Sequence, residues 1–98
     1  MISIRLHPAA QREIRRAFDW YLQEAGQRIA AGFLDDFEQT LALLKNHPEI
    51  GEPGGSNTRR LIFQRHPYTV VYRLKDEALE IVATAHHSRQ PEYWAGRL

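Results

Sequence analysis

The stretch that decides the fold is YTVVYRLKDEALEIVATAHH, residues 68–87. Apolar side chains recur at every second position in its first part, 68–74, and again in its second part, 78–87, which is the period of a β-strand. The polar residues 75–77 between the two runs predict a tight turn, so the strands are expected to pair in an antiparallel manner. The first strand is predicted to carry Tyr68, Val70, Tyr72 and Leu74 on one of its faces, and the second is predicted to carry Leu79, Ile81, Ala83 and Ala85 on one of its faces.

Two further strands are predicted on the N-terminal side of this stretch. RRLIFQR at 59–65 is separated from residue 68 by the dipeptide HP. ISIRLH at 2–7 alternates apolar with polar side chains. Between them, PEIGEPGGSNT at 48–58 is rich in the residues that favour loops. The three C-terminal strands have short links, so we expect them to form an antiparallel meander.

Two amphipathic helices are predicted between the first strand and the loop. Pro8 suits the first position of a helix, and Gly26 is expected to end that helix. The second helix begins near Gln27 and stops at NHP, 46–48, because a proline disfavours helical geometry in the residue before it. Its apolar stripe is predicted to be Ala30, Leu34, Phe37, Leu41 and Leu44, widened by Ile29 and Phe33, with Asp35, Asp36 and Glu38 on a solvated face.

The order of elements is therefore β-α-α-β-β-β, which places the chain in the α+β class. We expect one domain over residues 1–98. Its predicted architecture is an antiparallel sheet, made of the C-terminal meander and the N-terminal strand, packed against an α-helical hairpin.

Composition excludes several classes of function. The chain has no cysteine, which rules out disulfides, thiolate metal sites and cysteine nucleophiles and suits a reducing cytosol. The N-terminal residues turn charged at once, unlike an export signal, and no apolar run approaches the roughly 18–20 residues that span a bilayer. We therefore expect a cytoplasmic protein that does not bind membranes.

The adjacent histidines, His86 and His87, suggest a metal site or a pair of acid–base groups. Neighbouring residues on a strand point to opposite faces, so the two rings are not expected to hold one metal. The other histidines lack ligand spacing, no carboxylate pair stands out, and the glycines of GEPGG do not form a phosphate-binding loop. We predict no metal and no cofactor, and each histidine alone is more simply read as structural.

Arginines are the main chemical signal in the C-terminal half. On neighbouring strands they are expected to line a basic groove with aromatic side chains, suited to RNA or to an acidic protein segment. The pattern equally fits strand edges that carry arginine only for solvation. In the ending HHSRQPEYWAGRL, Trp94 is expected to anchor the tail, and Tyr93 is the freer candidate for a role. The arginines concerned are Arg59, Arg60, Arg65, Arg73, Arg89 and Arg97.

Four segments together resemble the RelE/ParE family of toxins from bacterial type II toxin–antitoxin systems. They are HPAAQREI, NHPEIGEP, RRLIFQRHPYTVVYRL and IVATAHHSRQPEYW, in this order along the chain. The family's fold agrees with the one predicted above. The resemblance implies a small toxin, of a class associated with plasmid stabilisation, that is neutralised by an antitoxin whose C-terminal segment wraps around it.

RelE-like members are ribosome-dependent ribonucleases that cut mRNA without a metal. The resemblance would then give catalytic roles to Arg60, His87 and Tyr93. Ile62 and Thr69 stand where that group often has basic residues, so two cations that would stabilise the transition-state phosphate are missing. This departure argues against the endoribonuclease, although neighbouring arginines could substitute.

ParE-like members instead inhibit DNA gyrase by binding it, and the R-x-P-x-Y-W ending at 89–94 is similar to theirs. We therefore expect a ParE-like toxin without a catalytic set, in which Arg89 and Tyr93 are exposed. A member that has lost toxicity and acts only as a binding module is a further alternative. The predicted target-binding residues are Arg59, Arg60, Arg65, Arg73, Arg89, Tyr93 and Arg97.

Overall fold

The computed structural model describes residues 2–98. The predicted order of elements is confirmed, and one short strand is added inside the predicted loop. The elements are β1 (Ser3–Leu6), α1 (Pro8–Ala25), α2 (Gln27–Asn46), β2 (Glu52–Pro53), β3 (Arg59–Ile62), β4 (Tyr68–Lys75) and β5 (Ala78–His86), with 3₁₀ turns at Gly55–Asn57 and Ala95–Arg97.

The five strands form one sheet in the order β1-β5-β4-β3-β2. All pairs are antiparallel except β1 with β5, which is parallel. The prediction of an antiparallel sheet is therefore correct for the meander and wrong for the N-terminal strand. A parallel pair needs a long crossover, and the chain between β1 and β5 supplies one.

A β-bulge between β4 and β5 changes which residues share a face. Val71 pairs with Ala83 while the next residue, Tyr72, pairs with Ile81, so Val82 is an extra residue on β5. An extra residue inverts the alternation of side chains beyond it. The predicted common face of Leu79, Ile81, Ala83 and Ala85 is therefore wrong for its last two members: Ala83 packs with Val71, away from Leu79 and Ile81.

The helical hairpin covers one face of the sheet, and its ends follow the predicted signals. Pro8 is the first residue of α1, and the His7 ring accepts a hydrogen bond from the Ala9 amide at 3.0 Å. Gly26 separates the helices with φ of 90°, a backbone conformation that glycine adopts at little cost. The main core lies between the helices and the sheet and includes Ala10, Ala17, Phe33, Phe37, Leu44, Phe63, Val70, Tyr72, Leu79 and Ile81.

Two predictions about α2 are wrong. Asp36 was expected on the solvated face together with Asp35 and Glu38, yet it is fully buried, whereas those two are exposed. Ile29 was expected to widen the apolar stripe, but 46% of its surface is exposed because it lies near the free end of the hairpin.

The other face of the sheet has its own small core, which the end of the chain covers. Trp94 is 5% exposed and packs with Val71, Val82 and Ala83, so its predicted anchoring role is confirmed. This arrangement places residues 88–98, the C-terminal segment, across the face that the helices leave open.

Candidate functional site: a cleft on the helix-free face

A cleft of about 430 Å³ lies on the helix-free face, between the sheet and the C-terminal segment. Its floor contains Thr69 of β4 and Ala85 of β5, which the strand pairing places side by side. One wall is residues 89–94, and Gly54, Gly55 and Arg60 also line the cleft. We call this feature the cleft.

Two arginines with exposed side chains line the cleft. The guanidinium of Arg60 is 3.2 Å from Glu52, and the two side chains are 51% and 76% exposed. Exposed ion pairs of this kind contribute little and exchange readily with solvent, so Arg60 remains available to a ligand. Arg89 is exposed, and its guanidinium carbon lies 3.9 Å from the centre of the Tyr93 ring, a cation–π contact.

The two histidines at the end of β5 point to opposite faces, as the strand period predicts. His87 is exposed, and its Nε2 lies 3.1 Å from the hydroxyl of Thr69 on the cleft floor. The His86 ring packs edge-on against Tyr68 at 5.1 Å, and its Nδ1 is hydrogen-bonded to Ser88. Both histidines are among the residues that line the cleft, and it is the His87 ring that contacts Thr69 on its floor.

Tyr93 is not the exposed residue that the sequence led us to expect. Its ring lines the cleft, but it is half-buried and its hydroxyl donates a 2.6 Å hydrogen bond to Glu13 Oε2. Burial and then the hydrogen bond and negative charge of Glu13 raise the pKa of the Tyr93 phenol above its ordinary value. The hydroxyl proton is therefore held in an internal contact.

The structure does not bring all the predicted arginines to the cleft. Arg59 donates to the carbonyls of Glu49 and Gly51 and so fastens the loop before β3. Arg73 pairs with Glu80 at 2.8 Å across β4 and β5. Arg97 is bonded to Glu13, and Arg65 is exposed in the β3–β4 connection, outside the cleft. Of the seven predicted target-binding residues, the cleft collects Arg60, Arg89 and Tyr93.

Glu13 is the residue of this region that sequence reasoning missed. It flanks the apolar stripe of α1 between Ala10 and Ala17, a weak signal that many solvated glutamates share. Burial alone would raise the pKa of this carboxyl, but hydrogen bonds from Arg97, Tyr93 and the Thr84 amide outweigh burial and lower it. Glu13 is therefore an ionised acceptor at neutral pH.

The arrangement suits binding better than acid–base chemistry. His87 and Arg60 are accessible, but the third catalytic candidate, Tyr93, has its hydroxyl committed to Glu13. Within residues 2–98, no three histidine or carboxylate side chains are grouped closely enough to hold a metal ion. The cleft offers two guanidiniums and an aromatic face, which are groups that recognise carboxylates and phosphates.

Comparison with known proteins gives the chain's relatives. The family described as "ParE toxin of type II toxin-antitoxin system, parDE" matches residues 4–91. Among solved structures, a chain of the "Chromosomal ParDE TA system from P. aeruginosa" is similar, with a TM-score of 0.78 and 20% sequence identity over 88% of this chain and 96% of that one. This likeness shows a shared fold. No curated protein sequence matches this chain significantly.

Neither helix has the combination of length and apolar character that crossing a bilayer requires, as far as residues 2–98 are concerned.

Proposed function

Because the chain belongs to the ParE toxin family of type II toxin–antitoxin systems, we propose that it inhibits DNA gyrase by protein–protein contact and is neutralised by a cognate antitoxin. The proposed place of action is the cytoplasm, where gyrase works. The observation that favours a binding toxin over a ribonuclease is the 2.6 Å hydrogen bond that the Tyr93 hydroxyl donates to Glu13, because this bond engages the phenol proton inside the protein.

We propose the cleft as the surface that contacts gyrase. Arg60 and Arg89 offer planar guanidiniums, and the Tyr93 ring lies under the guanidinium of Arg89 and supports it. Arginine and tyrosine are enriched among the residues that contribute most to protein–protein affinity. The two guanidiniums would pair with acidic side chains of the target. Arg59, Arg73 and Arg97 are bonded within the chain, so their proposed part in binding is indirect.

The alternative is a ribosome-dependent mRNA endoribonuclease with Arg60, His87 and Tyr93 as its catalytic groups. The accessible ring of His87 beside Arg60 in one cleft favours it. Against it stand Thr69 on the cleft floor and Ile62 on β3, neither of which supplies a cation for the transition-state phosphate.

Two assays on the purified protein decide between these activities. In the first, gyrase supercoils plasmid DNA with increasing amounts of toxin. In the second, mRNA on translating ribosomes is mapped for cuts. Blocked supercoiling with intact mRNA supports the proposal. Cut mRNA with active gyrase establishes the alternative, and no effect in either assay identifies a chain without toxicity.

Variants connect the activity to the cleft. Arg89→Gln removes a guanidinium from the cleft wall, and we expect it to weaken gyrase inhibition about tenfold, as loss of an interface arginine commonly does. Arg15→Gln is the matched control, because Arg15 is an exposed arginine of α1 outside the cleft. Equal inhibition by the two variants would remove the cleft from the proposed interface.

The proposed docking place of the antitoxin is the open edge of β3. At that edge β2 pairs only with Arg59 and Arg60. In the described part of the chain, Leu61 and Ile62 therefore have a neighbouring strand on the β4 side and none on the β2 side. Ile62 is 61% exposed at this edge, and Ile50 nearby is 47% exposed. An extended antitoxin segment can add main-chain hydrogen bonds to such an edge and place apolar side chains on these two residues.

A further inference from the structure

Strand β5 extends beyond the strand that protects its outer edge. β1 pairs with Ala78–Ile81, and the His7 amide makes one more bond, to the Ile81 carbonyl at 2.8 Å. β5 continues to His86, so its backbone groups from Val82 onward have no strand on that side within residues 2–98. Backbone groups at such an edge need other partners, or they invite another chain to pair with them.

Glu13 and Arg97 supply those partners. Glu13 Oε1 accepts a hydrogen bond from the Thr84 amide at 3.0 Å, and Arg97 donates to the Val82 carbonyl at 3.1 Å. The two side chains also bind each other through two hydrogen bonds, at 2.9 and 3.1 Å. Glu13 of α1 and Arg97 of the C-terminal segment thus bind two backbone groups of β5 that β1 does not reach.

The same carboxylate fixes the wall of the cleft. Its Oε2 accepts the Tyr93 hydroxyl at 2.6 Å, and only 10% of the Glu13 side chain is exposed. The Tyr93 ring carries the guanidinium of Arg89 on one side at 3.9 Å, and the Arg97 guanidinium lies 5.1 Å from its centre. The position of Arg89 therefore depends on Tyr93, and the position of Tyr93 depends on Glu13.

We propose that Glu13 is a positioning residue for target binding: from α1 it holds Tyr93 and Arg97, and so places Arg89 on the cleft wall. This inference rests on the proposed function for its biological readout. Glu13 itself is not among the residues that line the cleft, so it acts only through the C-terminal segment. Its lowered pKa supports the role, because an ionised carboxylate accepts all four hydrogen bonds at neutral pH.

The first test measures gyrase inhibition by Glu13→Gln. The amide keeps the shape of the side chain but removes the charge, and we expect about a tenfold rise in the toxin concentration that half-inhibits supercoiling, the change that losing one charge-assisted hydrogen bond produces. Glu24→Gln is the matched control, because Glu24 is an exposed glutamate on the same helix. Inhibition by Glu13→Gln equal to that by Glu24→Gln overturns the proposal.

A second variant, Arg97→Gln, separates positioning from direct contact. If Arg97 acts through Glu13, the double variant Glu13→Gln/Arg97→Gln inhibits no more weakly than the weaker of the two single variants. If the losses of inhibition in the two single variants multiply in the double variant, Arg97 contacts the target independently of Glu13. That outcome overturns the proposed chain of contacts.

Hydrogen–deuterium exchange tests the positioning without any target. In Glu13→Gln, we expect faster exchange at the Thr84 amide and in residues 88–98, with the protection of α2 and β3 unchanged. Unchanged exchange in the C-terminal segment, or an equal rise in every element, overturns the proposal. If the wild-type protein leaves gyrase active, the proposed function fails, and exchange still decides whether Glu13 positions the segment.

Discussion

At the scale of single residues, Asp36 shows how a buried charge can be part of a stable core. Its carboxylate accepts hydrogen bonds from the Gln64 and Arg65 amides at 3.2 and 2.9 Å and from His66 Nδ1 at 2.6 Å. Burial alone would raise the pKa of Asp36, but the bonds from His66 and the two amides outweigh burial and lower it. The residue thereby fastens the β3–β4 connection to α2.

Asp36→Ala is predicted to lower the free energy of unfolding by about 3 kcal/mol, because the Gln64 and Arg65 amides and His66 lose a fully buried acceptor. Urea denaturation followed by circular dichroism measures the change. Asp35→Ala is the control: the neighbouring aspartate is exposed, and its replacement should change stability by less than about 0.5 kcal/mol. Similar losses in both variants would contradict the role of Asp36.

At the scale of elements, the C-terminal segment behaves as a third layer on the sheet. Trp94 supplies its apolar contact with Val71, Val82 and Ala83, and Glu13 supplies its polar one through Tyr93 and Arg97. The helices cover one face of the sheet and this segment covers part of the other. The cleft lies between this segment and the part of the sheet that the segment leaves uncovered.

Trp94→Ala is predicted to lower the free energy of unfolding by about 3–5 kcal/mol, since it removes the largest side chain of this small core and exposes its three partners. Thermal and urea unfolding measure the loss. Leu98→Ala serves as the control, because Leu98 lies in the same segment and is 40% exposed. A loss below about 1 kcal/mol for Trp94→Ala would mean that the segment does not pack as described.

Ile62→Lys is predicted to weaken binding of the proposed antitoxin at least tenfold, about 1.4 kcal/mol. A lysine at a strand edge opposes the addition of another strand, because its charge would have to leave water. Isothermal titration calorimetry with the purified antitoxin measures the change. Ile29→Lys is the control, since Ile29 is 46% exposed on α2, away from this edge. Equal affinities for both variants would exclude the β3 edge.

At the scale of the whole molecule, the titrating groups predict a stability that falls at both extremes of pH. Glu13 and Asp36 have pKa values lowered from ordinary values of 4.5 and 3.8. Their stabilisation is present above those values and is lost as the pH falls through the folded-state values, because the unfolded chain takes up protons first. Urea unfolding at a series of acid pH values measures this loss. In Asp36→Ala, the free energy of unfolding should depend less on pH over this range.

Stability is also predicted to fall at alkaline pH, where the groups that titrate are tyrosines. Burial is the first cause that raises the phenol pKa above 10.0 in Tyr21, Tyr68, Tyr72 and Tyr93. Their stabilisation is present below pH 10.0 and is lost as the pH rises further, because unfolded tyrosines ionise more readily. Absorbance of tyrosinate recorded together with unfolding tests this. Ionisation of all four phenols near pH 10.0 in the folded protein would contradict it.

The sequence by itself determined both helices, four of the five strands, the order of these elements and most of the main core. Helix ends at Pro8 and Gly26 and the alternation along 68–74 depend on residues close together in the chain, whose spacing reports local geometry directly. The C-terminal aromatic pair predicted Trp94 as an anchor, and the arginines of the C-terminal half predicted Arg60 and Arg89. The resemblance to the toxin family added His87, which lines the same cleft. The helix ends and the strand alternation follow from short-range sterics and burial.

Only the tertiary structure decided the direction of β1, the bulge at Val82 and the contacts of Glu13. The hydrogen bonds from Thr84, Tyr93 and Arg97 to Glu13 join residues 71, 80 and 84 positions apart. No periodic signal specifies such pairs, because they depend on how the helices and the sheet pack together. For that reason the exposed Tyr93 and the solvated Asp36 were predicted wrongly: each has a partner that lies far away in sequence and adjacent in space.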